Sequence, residues 1–243
     1  TWRWIQRPYS VLDGCRAKYG KTFTLGFVGG RKLVITSDRE VIKEIFSGDP
    51  ELFLSGRANQ AFKEFLGRNS LLTLDGNPHK EARRLLMPPF RGERMEAYDT
   101  VMRELTLEEM ARWPRGKEFP ISDAMRRLSL NIIYSAVFGI RDVERRECLT
   151  RPMTRLMSKT SGLLAFLPKL QVDLGPISPW GKFLRSRKEI TDILYAEIKA
   201  VRETTEGRED ILARLIRESE RLGIPLNDDD LCDHLMALVG AGH

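Results

Sequence analysis

Apolar residues in the stretch PWGKFLRSRKEITDILYAEIKAVRE return every three or four positions, at Phe183, Ile190, Leu194, Ile198 and Val201, with charged residues between them. That period lays one face of a long helix on a core and leaves the other in water. The same reading predicts a helix over SVLDGCRAKY that ends at Gly20, with Val11, Leu12, Cys15 and Tyr19 as its apolar positions, and another over DREVIKEIFSG capped by Asp38. ERMEAYDTVMRELTLEEMARW reads as a helix that ends at Pro114, and ILARLIRES as a short one. PISDAMRRLSLNIIYSAVFG is predicted to start from a Ser122 cap and to line its inner face with Met125, Leu128, Ile132, Ile133, Ala136 and Val137. The period changes only near the start of the chain. KTFTLGF and RKLVITS are rich in β-formers and flank Val28-Gly29-Gly30, so they predict a hairpin. The chain therefore reads as mainly α with a small β-sheet portion. No repeat, low-complexity tract or linker divides it, and one domain over residues 1–243 is expected.

One segment fits neither period. SGLLAFLPKLQVDLGPISPW, residues 161–180, is apolar but broken by three prolines, two glycines, Lys169 and Asp173, which excludes a membrane-spanning helix. It is expected to be a mobile loop over an apolar cavity or surface, since long irregular loops tend to carry function. The N-terminal TWRWIQRPYS lacks the apolar length of a signal peptide or membrane anchor.

Composition narrows the class. With 42% hydrophobic residues a chain of 243 residues can bury a sizeable core. Lys and Arg total 40 against 34 Asp and Glu, a scattered excess of +6 that does not favour nucleic acid as the partner. Cys15, Cys148 and Cys232 show no CxxC spacing or disulfide framework, and a reducing, cytoplasmic location is expected.

The densest chemistry lies in DGNPHKEARRLLMPPF, residues 75–90. Asn77 is placed to cap a helix there, Pro78 suits its first turn and Pro88-Pro89 stops it. Within that helix His79, Lys80, Arg83 and Arg84 crowd together, and Lys80 and Arg84 stand four apart as like charges, a locally unfavourable arrangement that calls for an anion. At the other end of the chain, Asn227 and three aspartates open a helix whose Leu231, Leu235 and Leu238 form a stripe. That helix runs into Gly240-Ala241-Gly242, where small residues let something bulky and flat approach the backbone. GFVGGRK lacks the Lys-Ser or Lys-Thr ending of a phosphate loop. Cys232, His234 and His243 do not make a zinc set, because residues two apart on a helix point to different sides.

Taken in order, the N-terminal helix, the hairpin, LLTLDGNPHKEARRLLMPPF, the helix ending in VFG and the late helix running ALVGAGH resemble the first half of a cytochrome P-450. The resemblance implies the N-terminal half of that fold, ending within the oxygen-binding helix, and heme b as cofactor. By the same resemblance His79 and Arg83 bind the haem carboxylates, and Ala241 and Gly242 lie against the haem. Positions i and i+4 are about 6 Å apart on one helix face, so both side chains can reach one propionate region. Ser70, Leu71 and Leu72 and the 161–180 loop become the substrate-facing candidates. The family's iron-ligating cysteine loop and the acid-alcohol pair after Ala-Gly have no counterpart here, so no catalytic residue and no metal ligand is assigned within the chain, and Cys15, Cys148 and Cys232 stand in the wrong contexts. The Leu231, Leu235 and Leu238 stripe is then expected to pack against elements outside the chain.

The intact protein is expected to be a monooxygenase that uses dioxygen, an apolar small-molecule substrate and electrons from a ferredoxin or flavodoxin-like partner, and the chain alone to be inactive. The alternative is a non-enzymatic basic helical module that binds an anionic ligand or nucleic acid through Lys80, Arg83 and Arg84. It requires a contiguous basic face, whereas acids are interleaved throughout.

Overall fold

A computed structural model describes residues 6–26, 32–90, 96–157, 171–204 and 207–242. Contacts divide the chain into two compact units, residues 1–53 and 54–243. In the first, helix α1 (Pro8–Tyr19) starts two residues earlier than the pattern predicts, because Pro8 suits the first turn, and closes on Gly20 at a φ of 90°. Val11, Leu12 and Cys15 are half-buried and Tyr19 is exposed. Strands β1 (Thr22–Gly26) and β2 (Lys32–Thr36) pair antiparallel, with Phe23 opposite Ile35 and Leu25 opposite Leu33. The predicted turn at Val28-Gly29-Gly30 lies outside the described residues. Helix α2 (Arg39–Ser47) begins as expected at Asp38, whose carboxylate accepts from Glu40 N at 3.0 Å.

The second unit is helical among its described residues. Short helices α3 (Ser55–Asn59) and α4 (Lys63–Leu66) precede α5 (Gly76–Leu86), α6 (Glu96–Ala111), α7 (Ile121–Phe138) and α8 (Val143–Leu156). Then come α9 (Pro179–Glu203), α10 (Ile211–Leu222) and α11 (Asp228–Ala241). Caps set the boundaries: Ser178 Oγ accepts from Gly181 N, Asp210 from Ala213 N and Asn227 from Asp230 N. The predicted inner face of α9 is buried as drawn, with Phe183, Ile190, Leu194, Ile198 and Val201 all in the core. Phe183 also stacks on Trp180 and meets Phe65 of α4 at a ring distance of 4.3 Å. Residues 161–170 of the apolar loop lie outside the described residues; in the remainder Val172, Leu174 and Ile177 are exposed, while Pro179 and buried Trp180 open α9.

Three expectations are corrected. Helix α7 has Pro120 at its cap position with no side-chain bond, and Ser122 sits exposed in the first turn. Ala136 and Val137 are buried as predicted, but the rest of the buried line is Ala124, Leu130, Tyr134 and Phe138, while Met125 is exposed and Leu128, Ile132 and Ile133 are half-buried. The reason is that residues 130–138 are apolar almost all round, so the period does not choose a face; the two large rings of Tyr134 and Phe138, one turn apart, take the interior. Finally, Leu231 and Leu235 of α11 are fully buried in this chain's own core with Leu238 packed beside them, rather than left uncovered.

Ion pairs tie the helices where the core meets solvent. Glu109 of α6 is buried and bonds Arg127 of α7 at 2.7 Å, and buried Glu197 of α9 bonds Arg145 of α8. Breaking either by removing one partner strands a buried charge. No helix among the described residues is long and apolar enough to cross a membrane.

His234 of α11 is buried without an ion-pair partner among the described residues. It is 3% exposed, its Nδ1 has no partner, and burial pushes its pKa down to about 4. Above pH ~6.5 the imidazole is neutral in both folded and unfolded chains and contributes no pH dependence. Between ~6.5 and about 4 only the unfolded chain takes up the proton, so stability falls as pH falls, by on the order of 3 kcal/mol when complete. Asp233, whose pKa burial raises, works in the opposite direction as it protonates in the folded state. Urea unfolding of the wild type and of His234→Leu across this range separates the two: the leucine variant should lose most of the acid-side decline, and parallel curves would contradict the assignment.

Candidate functional site

The structure builds the region around α5 from a polar clamp. Gly67 has a φ of +88°, and a side chain there would coincide with the Asp233 carboxylate, whose Cγ and Oδ1 lie 2.0 Å from the ideal Cβ position. Asp233 of α11 thus fills the space glycine leaves, and its Oδ2 accepts from Asn69 N at 2.9 Å. The Asn69 amide in turn donates to Asp230 at 2.8 Å. Two carboxylates one turn apart on α11 therefore hold Asn69, Asp233 by its backbone amide and Asp230 by its side chain. Burial raises the Asp233 pKa, against the backbone bonds from Asn69 and Arg68 and the charge of Arg187, which lower it. Its neighbour Cys232 is buried and pushed up to about 12, so it is a protonated thiol at neutral pH.

From this anchor the chain reaches α5 in a tight turn. Ser70 is fully buried, its carbonyl accepts from Thr73 and Leu74 N, and its Oγ accepts from Leu72 N at 3.2 Å. Thr73 Oγ1 lies within 3.0 Å of the carbonyls of Gly67, Arg68 and Ser70. Asn59 and Gln60 donate to the carbonyls of Leu72 and Thr73. Leu71 packs half-buried on the core and Leu72 is exposed. Of the three substrate-facing candidates, only the leucines present side-chain surface in this chain.

Asp75, not Asn77, occupies the cap position of α5, and Asn77 is already within the helix. The carboxylate of Asp75 is turned back to accept from Gly56 N at 2.7 Å and Arg57 N at 2.8 Å, opening α3 instead of capping α5. Gly56 is required there, because a Cβ would stand 2.5 Å from the Leu74 carbonyl oxygen. Pro78 falls in the first turn, and the 3-10 turn Pro88–Phe90 ends the helix, as the sequence predicts.

Ala82, Leu85 and Leu86 bury one side of α5. His79 is half-buried, while Lys80, Arg83 and Arg84 are exposed. Among the described residues neither His79 nor Arg83 is paired with a carboxylate, although Arg112, Arg127, Arg145, Arg146, Arg202, Arg208 and Arg221 of the same unit all are. An imidazole and a guanidinium four apart, with no internal acceptor, form a donor set suited to an external carboxylate pair.

At the end of α11 the glycines differ. A side chain on Gly242 would meet Ile133 Cδ1 at 2.8 Å, so its smallness serves packing against α7. One on Gly240 would find only Leu66 Cδ2, at 3.8 Å, so packing does not demand glycine there. Ala241 and Gly242 are exposed. The 67–74 segment links the two candidate groups, bonded to α11 at one end and entering α5 at the other.

The clamp predicts that Gly67→Ala, which forces a left-handed residue to carry a Cβ into a carboxylate, costs on the order of 3 kcal/mol. Asp233→Ala should cost less and free the amides of residues 68–74. Hydrogen exchange read by mass spectrometry on that segment should accelerate in both variants; protection equal to wild type would show that the clamp does not hold it.

The chain matches the family model described as Cytochrome P450 over residues 2–243. It is 34% identical over 230 residues to cytochrome P450 138 of Mycobacterium tuberculosis, spanning 93% of this chain and 51% of the relative. It is 33% identical over 241 residues to cytochrome P450 135B1 of the same organism, spanning 98% and 51%. The chain thus spans about half the length of the curated relatives it matches. Among solved structures, the retinoic acid bound cyanobacterial CYP120A1 superposes with a TM-score of 0.76 at 21% identity, covering 98% of this chain and 52% of that one. The cytochrome P450DA heme domain superposes at 0.77 and 18% identity, covering 98% and 53%. With a mostly helical architecture, a small two-stranded sheet and a family match along nearly its whole length, this chain belongs to the cytochrome P450 family.

Proposed function

We propose that this chain supplies the haem-carboxylate helix and part of the substrate-facing wall of a monooxygenase that inserts one oxygen atom from dioxygen into an apolar organic substrate. The observation that carries the reading is the His79 and Arg83 pair on α5, held on a buried Ala82, Leu85 and Leu86 face and lacking any internal carboxylate among the described residues. Haem, of the b type, supplies the redox-active iron that such chemistry needs, with its cysteine ligand outside this chain. Arg83 and His79 bind and orient the two carboxylates by charge-assisted hydrogen bonds. Ala241 and Gly242, exposed and small, offer a surface that the macrocycle can approach. Both units belong, on this reading, to one incomplete domain.

Leu71, Leu72 and the 161–180 segment face an apolar substrate, and Ser70 shapes the turn that presents the leucines. The retinoic acid of the CYP120A1 structure is a ligand of that kind in that protein. Electrons come from a ferredoxin or flavodoxin-like partner drawn to positive charge on the exposed face. The protein works in the cytoplasm.

Replacing Arg83 by Ala in the full-length, haem-loaded protein should weaken haem retention by roughly 30- to 1000-fold, since a carboxylate then loses a charged partner. Arg84 stands about 100° further round α5, and Arg84→Ala should change retention little. His79→Ala should fall between them. Transfer of haem to an apo-globin acceptor ranks the three, and equal rates for the Arg83 and Arg84 variants would remove the haem role of α5.

A further inference from the structure

Away from α5, one buried cation among the described residues holds two unmet donors. Arg146, in the first turn of α8, is 3% exposed, and its only bond is from Nη2 to Glu108 of α6, at 3.1 Å to one oxygen and 3.5 Å to the other. Its Nε and Nη1 are shut off from solvent and have no hydrogen-bond partner. Glu108 does not neutralise it alone, because the carboxylate is shared with Arg112, which bonds Oε1 at 2.7 Å. The Arg112, Glu108 and Arg146 group therefore carries one net positive charge, and the buried member holds the unmet donors. The neighbouring pairs offer no relief: Glu109 is committed to Arg127, and Glu197 to Arg145. Trp113 Nε1, just past the end of α6, is a further buried donor without a partner.

We propose that Arg146 is the centre of a buried binding site for a small monovalent anion of the halide class, at the junction of α6 and α8. Two considerations select an anion over water. Buried donors on a charged group are expensive to leave unmet, and any acceptor satisfies that need. A neutral water, however, leaves the excess positive charge uncompensated in a low-dielectric setting, whereas a halide removes both deficits together. The bound ion ties the first turn of α8 to α6, so it contributes to the packing of these helices and takes no part in the haem site proposed for α5. The two readings stand or fall separately.

The test uses the full-length protein and chloride itself. Urea unfolding midpoints are measured at constant ionic strength while chloride replaces gluconate. The wild type should gain stability along a saturating curve, and Arg146→Met should show a flat one. Glu108→Gln removes the competing carboxylate, so it should lower the half-saturating chloride concentration by about tenfold. Crystals grown in bromide should show an anomalous peak within hydrogen-bonding reach of Arg146 Nε or Nη1, a readout that needs no variant to fold. Superimposable chloride and gluconate curves, or bromide-grown crystals without that peak, would overturn the proposal and leave a water at Arg146.

Discussion

The candidate site depends on one contact between a carboxylate and a missing side chain. Asp233 occupies the volume that a Cβ on Gly67 would claim, and from there it bonds the backbone amide of Asn69. That contact fixes where the 67–74 turn leaves α11, and the turn fixes where α5 begins. The carboxylate of Asp75 then fastens the same turn to α3, with Gly56 cleared of a side chain to let Leu74 approach. The positions of His79 and Arg83 are thus set by hydrogen bonds some distance from them in sequence, and only secondarily by helix propensity.

His79 and Arg83 of α5 have no carboxylate partner among the described residues, whereas several arginines elsewhere in the unit do, including Arg127 with buried Glu109 and Arg145 with buried Glu197. On α5 the apolar side does the anchoring through Ala82, Leu85 and Leu86, and Arg83 stays exposed. On the proposed reading the partner of His79 and Arg83 is a haem carboxylate pair, a fixed anion of the right size for an i, i+4 donor set.

Local signals were legible in the sequence and tertiary ones were not. The α9 stripe, the Asp38 and Asn227 caps and the hairpin follow from spacing and capping chemistry, and each appears in the structure. The inner face of α7 was legible only at Ala136 and Val137, because apolar residues surround its second half and ring size decided the orientation. Nothing in one sequence announces that the partners of Asp75 and Asp233 are the amides of residues 56–57 and 69, or that a carboxylate fills the place of a Gly67 side chain. Gly240-Ala241-Gly242 was readable as a small-residue run, yet only the structure separates Gly242, pressed by Ile133, from Gly240, beside open space.

The central claim, that α5 is the carboxylate-binding helix of a haem protein, is tested most directly by a crystal structure of the full-length protein with haem bound. The account predicts Arg83 guanidinium nitrogens within about 3 Å of a haem carboxylate, with the His79 ring donating to the same region. Haem carboxylates held by other residues, with Arg83 still turned to solvent, would contradict it.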